Sequence, residues 1–191
     1  DEFFSRGGDK SLEPSIVAVG RQAPVKRFVE LLEQVAISRQ RVPNLSITLV
    51  GDGPERPRIE KWIRDNDATW VRLVGRIDRD ALREQYRRAW IIASASLAEG
   101  WGLALTEAAG CGTPAVATDI SGHRCSVLNG RTGVLAPLES LGSAMADVLL
   151  DSQLRHRLED AAHDRARSLT WDSLALGVLR PLHAQVIARH Q

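Results

Sequence analysis

The stretch Glu99-Gly100-Trp101-Gly102-Leu103-Ala104-Leu105-Thr106-Glu107-Ala108-Ala109-Gly110-Cys111-Gly112-Thr113-Pro114 lies between two short apolar runs, Trp90 to Ala93 and Ala115 to Thr118. The order is a strand, a glycine-containing loop, a helix start and a second strand. Two carboxylates, Glu99 and Glu107, stand eight residues apart with the helix start between them. A helix N-terminus exposes unpaired N–H groups and the positive end of the dipole, which suits an anion.

The same unit recurs along the chain. Ser15 to Val19 reads as a buried strand, Gly20 to Pro24 as a turn, and Val25 to Ser38 as an amphipathic helix with apolar residues at Val25, Phe28, Leu31, Leu32, Val35 and Ala36. Ser46 to Val50 is a strand, Gly51 to Pro54 a turn and Arg56 to Asn66 a helix. Trp70 to Val74 is a strand, Gly75 to Ile77 a turn and Asp78 to Ala89 a helix. After Thr118 come a loop with a short helix over 119–132 and a strand near Val134. Helices then follow over Ser140 to Asp151, Ser152 to Ser168 and Trp171 to His190, the last kinked at Pro181. Strands alternating with helices imply right-handed βαβ units, hence an α/β fold with a Rossmann-like parallel sheet covered on both faces and a helical C-terminal segment. Ligands of such sheets collect at the carboxyl ends of the strands. The loops to search therefore hold Arg21 with Lys26, Gly51 to Glu55, Arg76 with Ile77, Glu99 to Leu103, and Thr118 to His123.

The chain has 191 residues, 43% of them hydrophobic, and a net charge of +1. That length allows one domain with a good core. No basic field points to nucleic acid. No apolar run approaches the ~20 residues that span a bilayer, and the first residues, Asp1 to Lys10, do not read as a signal peptide. Cys111 and Cys125 belong to no Cys-x-x-Cys motif, so they read as reduced structural thiols in a cytoplasmic protein.

Carboxylates only accept hydrogen bonds, and their two oxygens can hold a vicinal diol. Over eight helical residues Glu99 and Glu107 would stand ~12 Å apart. That separation fits two sugar rings joined by an anionic bridge, the layout of a nucleotide sugar. The plain alternative is two ordinary glutamates; another is the acid and base of a glycoside hydrolase. Arg21 and Lys26 at the same rim favour a phosphorylated leaving group over hydrolysis. Lys26, placed in the first turn of a helix, would oppose the dipole, which an anion would relieve. Gly51-Asp52-Gly53-Pro54-Glu55-Arg56 starts like a dinucleotide fingerprint but carries Arg56 at its last glycine position, so it reads as a tight turn. Asp78-Arg79-Asp80 and Asp65-Asn66-Asp67 could hold a metal, but Asp78 and Asp80 suit a helix cap and first turn, and Asp65 ends a helix. The five histidines are scattered, and no metal site is expected.

Taken together, the ordered motifs resemble the C-terminal half of a retaining nucleotide-sugar glycosyltransferase of the GT-B fold, glycosyltransferase family 4. They are Val19-Gly20-Arg21 through Lys26, Leu49-Val50-Gly51-Asp52-Gly53-Pro54, Leu73-Val74-Gly75-Arg76-Ile77, Glu99 through Glu107, Gly112-Thr113-Pro114 and Asn129-Gly130-Arg131-Thr132-Gly133. The resemblance implies that 1–14 is an interdomain connection, 15–170 a donor-binding domain, and 171–191 a helix crossing back to an acceptor-binding N-terminal domain absent from this chain. It implies that Gly20, Arg21 and Lys26 hold the diphosphate, and that Glu99 contacts the donor sugar. Backbone around Gly100, Trp101, Gly102 and Leu103 would face sugar and phosphate, Glu107 would hold the ribose, and Arg76 and Ile77 would line the base pocket. No cofactor or metal is implied, only the donor and the other domain, through which contact with the inner face of the plasma membrane would run. Trp101 stands where Phe is usual, and Cys125 where many members carry an acid. Transfer of a hexosyl group to an acceptor hydroxyl is the activity this implies, with the chain inactive alone. A sugar-nucleotide epimerase, a glycoside phosphorylase and a non-catalytic nucleotide-binding module are the rival readings.

Overall fold

The computed structural model describes residues 4–169. Six strands form one parallel sheet: β1 Ser15–Val19, β2 Ser46–Val50, β3 Val71–Gly75, β4 Ile91–Ser94, β5 Ala115–Thr118 and β6 Gly133–Ala136, in the order β3-β2-β1-β4-β5-β6. The seven described α-helices are α1 Phe28–Arg39, α2 Arg56–Asp65, α3 Arg79–Arg88, α4 Leu103–Gly110, α5 Ser121–Ser126, α6 Leu141–Leu150 and α7 Ser152–Ser168. The parallel Rossmann-like sheet read from the sequence is thus the fold found. The helix expected over Trp171 to His190, with its kink at Pro181, lies outside the described residues.

Alternation along each strand divides the core in two. Ile16, Ala18, Ile47 and Leu49 pack with Leu31, Leu32 and Val35 of α1, Ile59 of α2 and Met145 of α6. Val17, Ile92, Ala115 and Ala117 pack with Tyr86 of α3 and with Leu105 and Ala108 of α4. Both faces of the sheet are therefore apolar, as parallel strands require.

Several boundaries differ from the sequence reading, most of them by one residue. The helix expected from Val25 to Ser38 is split. Pro24–Lys26 is a 3₁₀ turn, Arg27 adopts the left-handed conformation at φ 50°, and α1 starts at Phe28. Lys26 therefore does not stand in the first turn of the long helix, and the dipole argument for it does not apply. The strands expected from Trp90 and Trp70 both start one residue later, because each Trp belongs to the preceding connection. Asp78 is the N-cap of α3, its carboxylate accepting from the Ala81 N–H at 2.8 Å, as the helix-cap reading required.

The segment before β1 is strapped to the ends of α3 and α4. Trp90 Nε1 donates to the Ser11 carbonyl at 2.7 Å, and Lys10 Nζ donates to Ala89 O and to Thr113 Oγ1, each at 2.7 Å. Burial pulls the Lys10 ammonium down to about 8.

The glycines after β2 have a packing purpose. A Cβ on Gly51 would lie 2.0 Å from the Gly20 carbonyl oxygen, and one on Gly53 would lie 2.4 Å from the Gln22 carbonyl oxygen. Backbone contact this close lets Gln22 N–H donate to Asp52 O at 3.0 Å, while the Gln22 side chain donates to Gly51 O at 2.9 Å. The broken fingerprint is thus a buttress for the loop after β1. Gly51→Ala, strained both by this clash and by φ +121°, is expected to cost about 2 kcal/mol or more of unfolding free energy, read from urea denaturation. A loss below about 0.5 kcal/mol would refute the buttress.

Candidate functional site

The strand order reverses direction between β1 and β4, so the connections leaving these two strands diverge and open a crevice at their carboxyl ends. Residues Gly20 to Arg27 leave β1, and Ala95 to Gly102 leave β4. Two contacts hold the walls of the crevice together. Leu97 N–H donates to the Val25 carbonyl at 2.8 Å, and the Lys26 ammonium is ion-paired with Glu99 Oε1. The Lys26 and Glu99 side chains are only 25% and 15% exposed, so this pair is far better shielded than an ordinary surface pair.

Ser96 Oγ also donates to Glu99 Oε1, at 2.8 Å. Partial burial alone would raise the Glu99 carboxyl. The hydrogen bonds from Lys26 and Ser96 and the nearby positive charge outweigh it, and the group is held below the usual carboxylate range. Both bonds land on Oε1, which leaves Oε2 for another partner. Lys26 likewise keeps donors to spare, since an ammonium has three N–H groups. The Arg21 side chain is exposed on the same rim and pairs with no other described residue.

The Glu99 backbone is fixed from below. Gly122 of α5 lies under it so closely that a Cβ there would stand 2.2 Å from the Glu99 carbonyl oxygen. Beside it is His123, fully buried, whose Nδ1–H donates to the Thr118 carbonyl at 2.7 Å. Its Nε2 is then the acceptor for Ser94 Oγ at 3.3 Å. Burial lowers the His123 pKa, against the opposing pull of the Thr118 carbonyl and Glu99 charge, so the ring is neutral at neutral pH.

α4 starts at this crevice. Its N-cap is Gly102 at φ +83°, no side chain caps the N-terminus, and the first turn holds no acid. Leu103 and Trp101 are exposed there, with Trp101 Nε1 donating to Thr106 Oγ1 at 2.9 Å; Gly100 is exposed as well. Glu107 stands one turn further along, and Tyr86 Oη donates to its Oε2 at 2.8 Å. Burial raises the Glu107 carboxyl, with the Tyr86 bond and the charge of Arg79 pulling the other way.

Arg76 and Ile77 follow β3, two strands from β1 and so ~10 Å across the rim. Arg76 is exposed, while Ile77 packs against the α3–α4 side of the core. The structure therefore gathers Gly20, Arg21, Lys26, Glu99 and the start of α4 at one point. Glu107 lies along α4, and Arg76 and Ile77 stand at a separate position. Ser96, Tyr86 and a role for His123 were missed in the sequence. Tyr86 and His123 matter through tertiary partners, whereas Ser96 meets Glu99 three residues on within one loop; of the three, only His123 lies in a rim loop read from the sequence.

Residues 1–165 match a family model described as glycosyl transferases group 1. The D-inositol 3-phosphate glycosyltransferase of Jonesia denitrificans is 31% identical over 175 residues, which is 86% of this chain and 41% of that protein. The UDP-N-acetylglucosamine--peptide N-acetylglucosaminyltransferase GtfA subunit of Streptococcus agalactiae is 30% identical over 128 residues, covering 66% of this chain and 25% of that one. Among solved structures, the sucrose-phosphate synthase of Thermosynechococcus elongatus superposes with a TM-score of 0.80 at 28% identity, over 99% of this chain and 51% of that chain. The chain spans about two fifths or less of the length of these two curated relatives.

Lys26→Met is expected to release the Glu99 carboxyl upward, because desolvation is then opposed chiefly by the Ser96 bond. With the pair intact the folded pKa lies below the ordinary 4.5. Its stabilisation is thus complete above 4.5 and is lost as pH falls through the lower folded value. A carboxyl-selective NMR titration of both proteins reads the shift; an unmoved Glu99 would show that Lys26 does not set it.

Proposed function

Because the chain belongs to the group 1 glycosyl transferases, we propose that it is the donor-binding half of a retaining family 4 enzyme of the GT-B fold. On this reading a hexosyl group passes from a nucleoside-diphosphate sugar to an acceptor hydroxyl. The observation that carries it is the Lys26–Glu99 pair, set at the switch point beside the open N-terminus of α4.

The diphosphate sits against the α4 N-terminus, where N–H groups and the dipole favour negative charge. Lys26, one N–H committed to Glu99, turns its remaining donors to phosphate oxygens, and Arg21 adds a second cation from the outer edge. Glu99 Oε2 accepts from a hydroxyl of the donor sugar. The backbone of Gly20 and of Gly100 to Leu103 borders the sugar and diphosphate. Glu107 accepts from the ribose, and Arg76 with Ile77 borders the base. When the bond from C1 to the diphosphate breaks, its electron pair departs on the phosphate oxygen. The two cations are already in place to meet that charge. The acceptor oxygen then bonds C1 on the same face and gives its proton to the departing phosphate oxygen. No metal or cofactor is needed in this scheme.

The acceptor site belongs to the remainder of the enzyme, as does any contact with a membrane. Among the described residues no helix is long and apolar enough to cross one. The Streptococcus agalactiae relative, named for UDP-N-acetylglucosamine, puts UDP first among the bases to test.

Two experiments test the reading. Saturating UDP, GDP or ADP, at about 100 times Kd, should raise the Tm of this chain by about 5–10 °C for the correct base. Flat responses to all three would overturn donor binding. In the complete enzyme, Lys26→Ala should lower kcat about 10²–10³-fold, since the cation acts on charge that develops in the transition state. Unchanged turnover would remove the catalytic assignment and leave a binding module.

A further inference from the structure

Glu107 is not free to turn. Tyr86, wholly buried on α3, donates its hydroxyl to Oε2 at 2.8 Å. Phe4 meets the ring edge-on with centroids 5.8 Å apart, and the Tyr86 backbone is held by Thr113 Oγ1, which donates to its main-chain carbonyl at 2.6 Å. A phenol hydroxyl facing a carboxylate can only donate, so this bond has one polarity. Glu107 Oε1 takes no hydrogen bond from any described residue, and the side chain is half-buried. One oxygen is thus fixed to the protein, and the other is presented from a carboxylate of set orientation.

Asp52, at the carboxyl end of β2, holds the place where dinucleotide-binding sheets carry their ribose acid. Here Asp52 Oδ1 accepts from the Gly53 N–H at 2.8 Å and faces Arg56 at 3.9 Å, so it serves the turn. Glu107, on a different element, is the carboxylate that the proposed function sets against the ribose.

We propose that Tyr86 is the positioning residue that makes this site select ribose over 2′-deoxyribose, by holding Glu107 with one oxygen directed to the sugar. The inference rests on the nucleotide-sugar reading of the rim. It adds a residue that never touches the ligand and assigns it the discrimination between ribo- and deoxyribonucleotides. A diol donating to a charged acceptor loses a bond when one hydroxyl is absent, and a buried acceptor left unmatched is costly. That penalty requires a carboxylate unable to swing away. With the Tyr86 hydroxyl removed, Glu107 can rotate and the distinction fades. The carboxylate also loses the bond that offsets its desolvation, so it takes up a proton at higher pH.

The test is calorimetric titration of this chain with UDP, GDP and ADP and with their 2′-deoxy counterparts. The wild type should bind the best ribonucleotide about 10-fold tighter than its deoxy form. Tyr86→Phe, which keeps the ring and its packing, should weaken ribonucleotide binding about 5-fold or more and leave the deoxy form nearly unchanged, narrowing the preference to about 2-fold. The acid limb of ribonucleotide binding should move to higher pH in that variant. Glu107→Gln should abolish the preference, and the double variant should lose no more than Glu107→Gln alone. A Tyr86→Phe protein that keeps the full preference and an unmoved acid limb overturns the positioning role while leaving nucleotide binding intact. A wild type that binds none of the six nucleotides overturns the nucleotide-sugar reading itself, and this inference with it.

Discussion

The site depends on two loops that the topology drives apart and that chemistry then joins. β1 and β4 are neighbours whose connections run to opposite sides of the sheet, and the gap between them exists in every sheet of this strand order. Here the gap is bridged at its mouth. Leu97 N–H reaches the Val25 carbonyl, and Lys26 reaches Glu99. A buried or half-buried ion pair is weak evidence for stability, because desolvation offsets much of its attraction. Its value here is geometric. It brings a cation and a carboxylate from different βα units to one point and leaves each with unused hydrogen-bonding capacity.

That economy recurs at the second carboxylate. Glu99 gives Oε1 to Lys26 and Ser96, and Glu107 gives Oε2 to Tyr86. The environments differ in sign. Glu99 is held below the usual carboxylate range and Glu107 above it, because the first has a cation against it and the second only a phenol and the more distant Arg79 charge. Two glutamates indistinguishable by residue type are thus separated by what packs behind them.

How much of this was legible in the sequence follows from the range of each interaction. Strands such as Ser46–Val50 and helices such as Ser152–Ser168 are written locally, in β-branched runs and apolar periodicity, and both stand where the sequence places them. The Asp78 cap is local too. The break before α1 is not, since Val25 fits the helical spacing and nothing in Arg27 announces a left-handed backbone. Lys26, Glu99 and Glu107 could be marked because strand ends predict a rim. Their pairing could not, because Lys26–Glu99 and Tyr86–Glu107 are made by packing across elements. The glycines of the 51–53 turn look like an incomplete ligand motif until the loop they support is in view.

The strap ahead of β1 has a mechanical meaning. Phe4 lies against the Tyr86 ring, and its carbonyl is so close to Gly110 that a Cβ there would stand 2.7 Å away. The strap is thus in series with both helices that set Glu107: the one that carries it and the one that supplies its phenol. A pull on the chain ahead of Phe4 is borne first by this joint, while β1 lies behind the anchors at Lys10 and Ser11. Leverage applied at this end of the domain is therefore felt by the carboxylate before it is felt by the sheet.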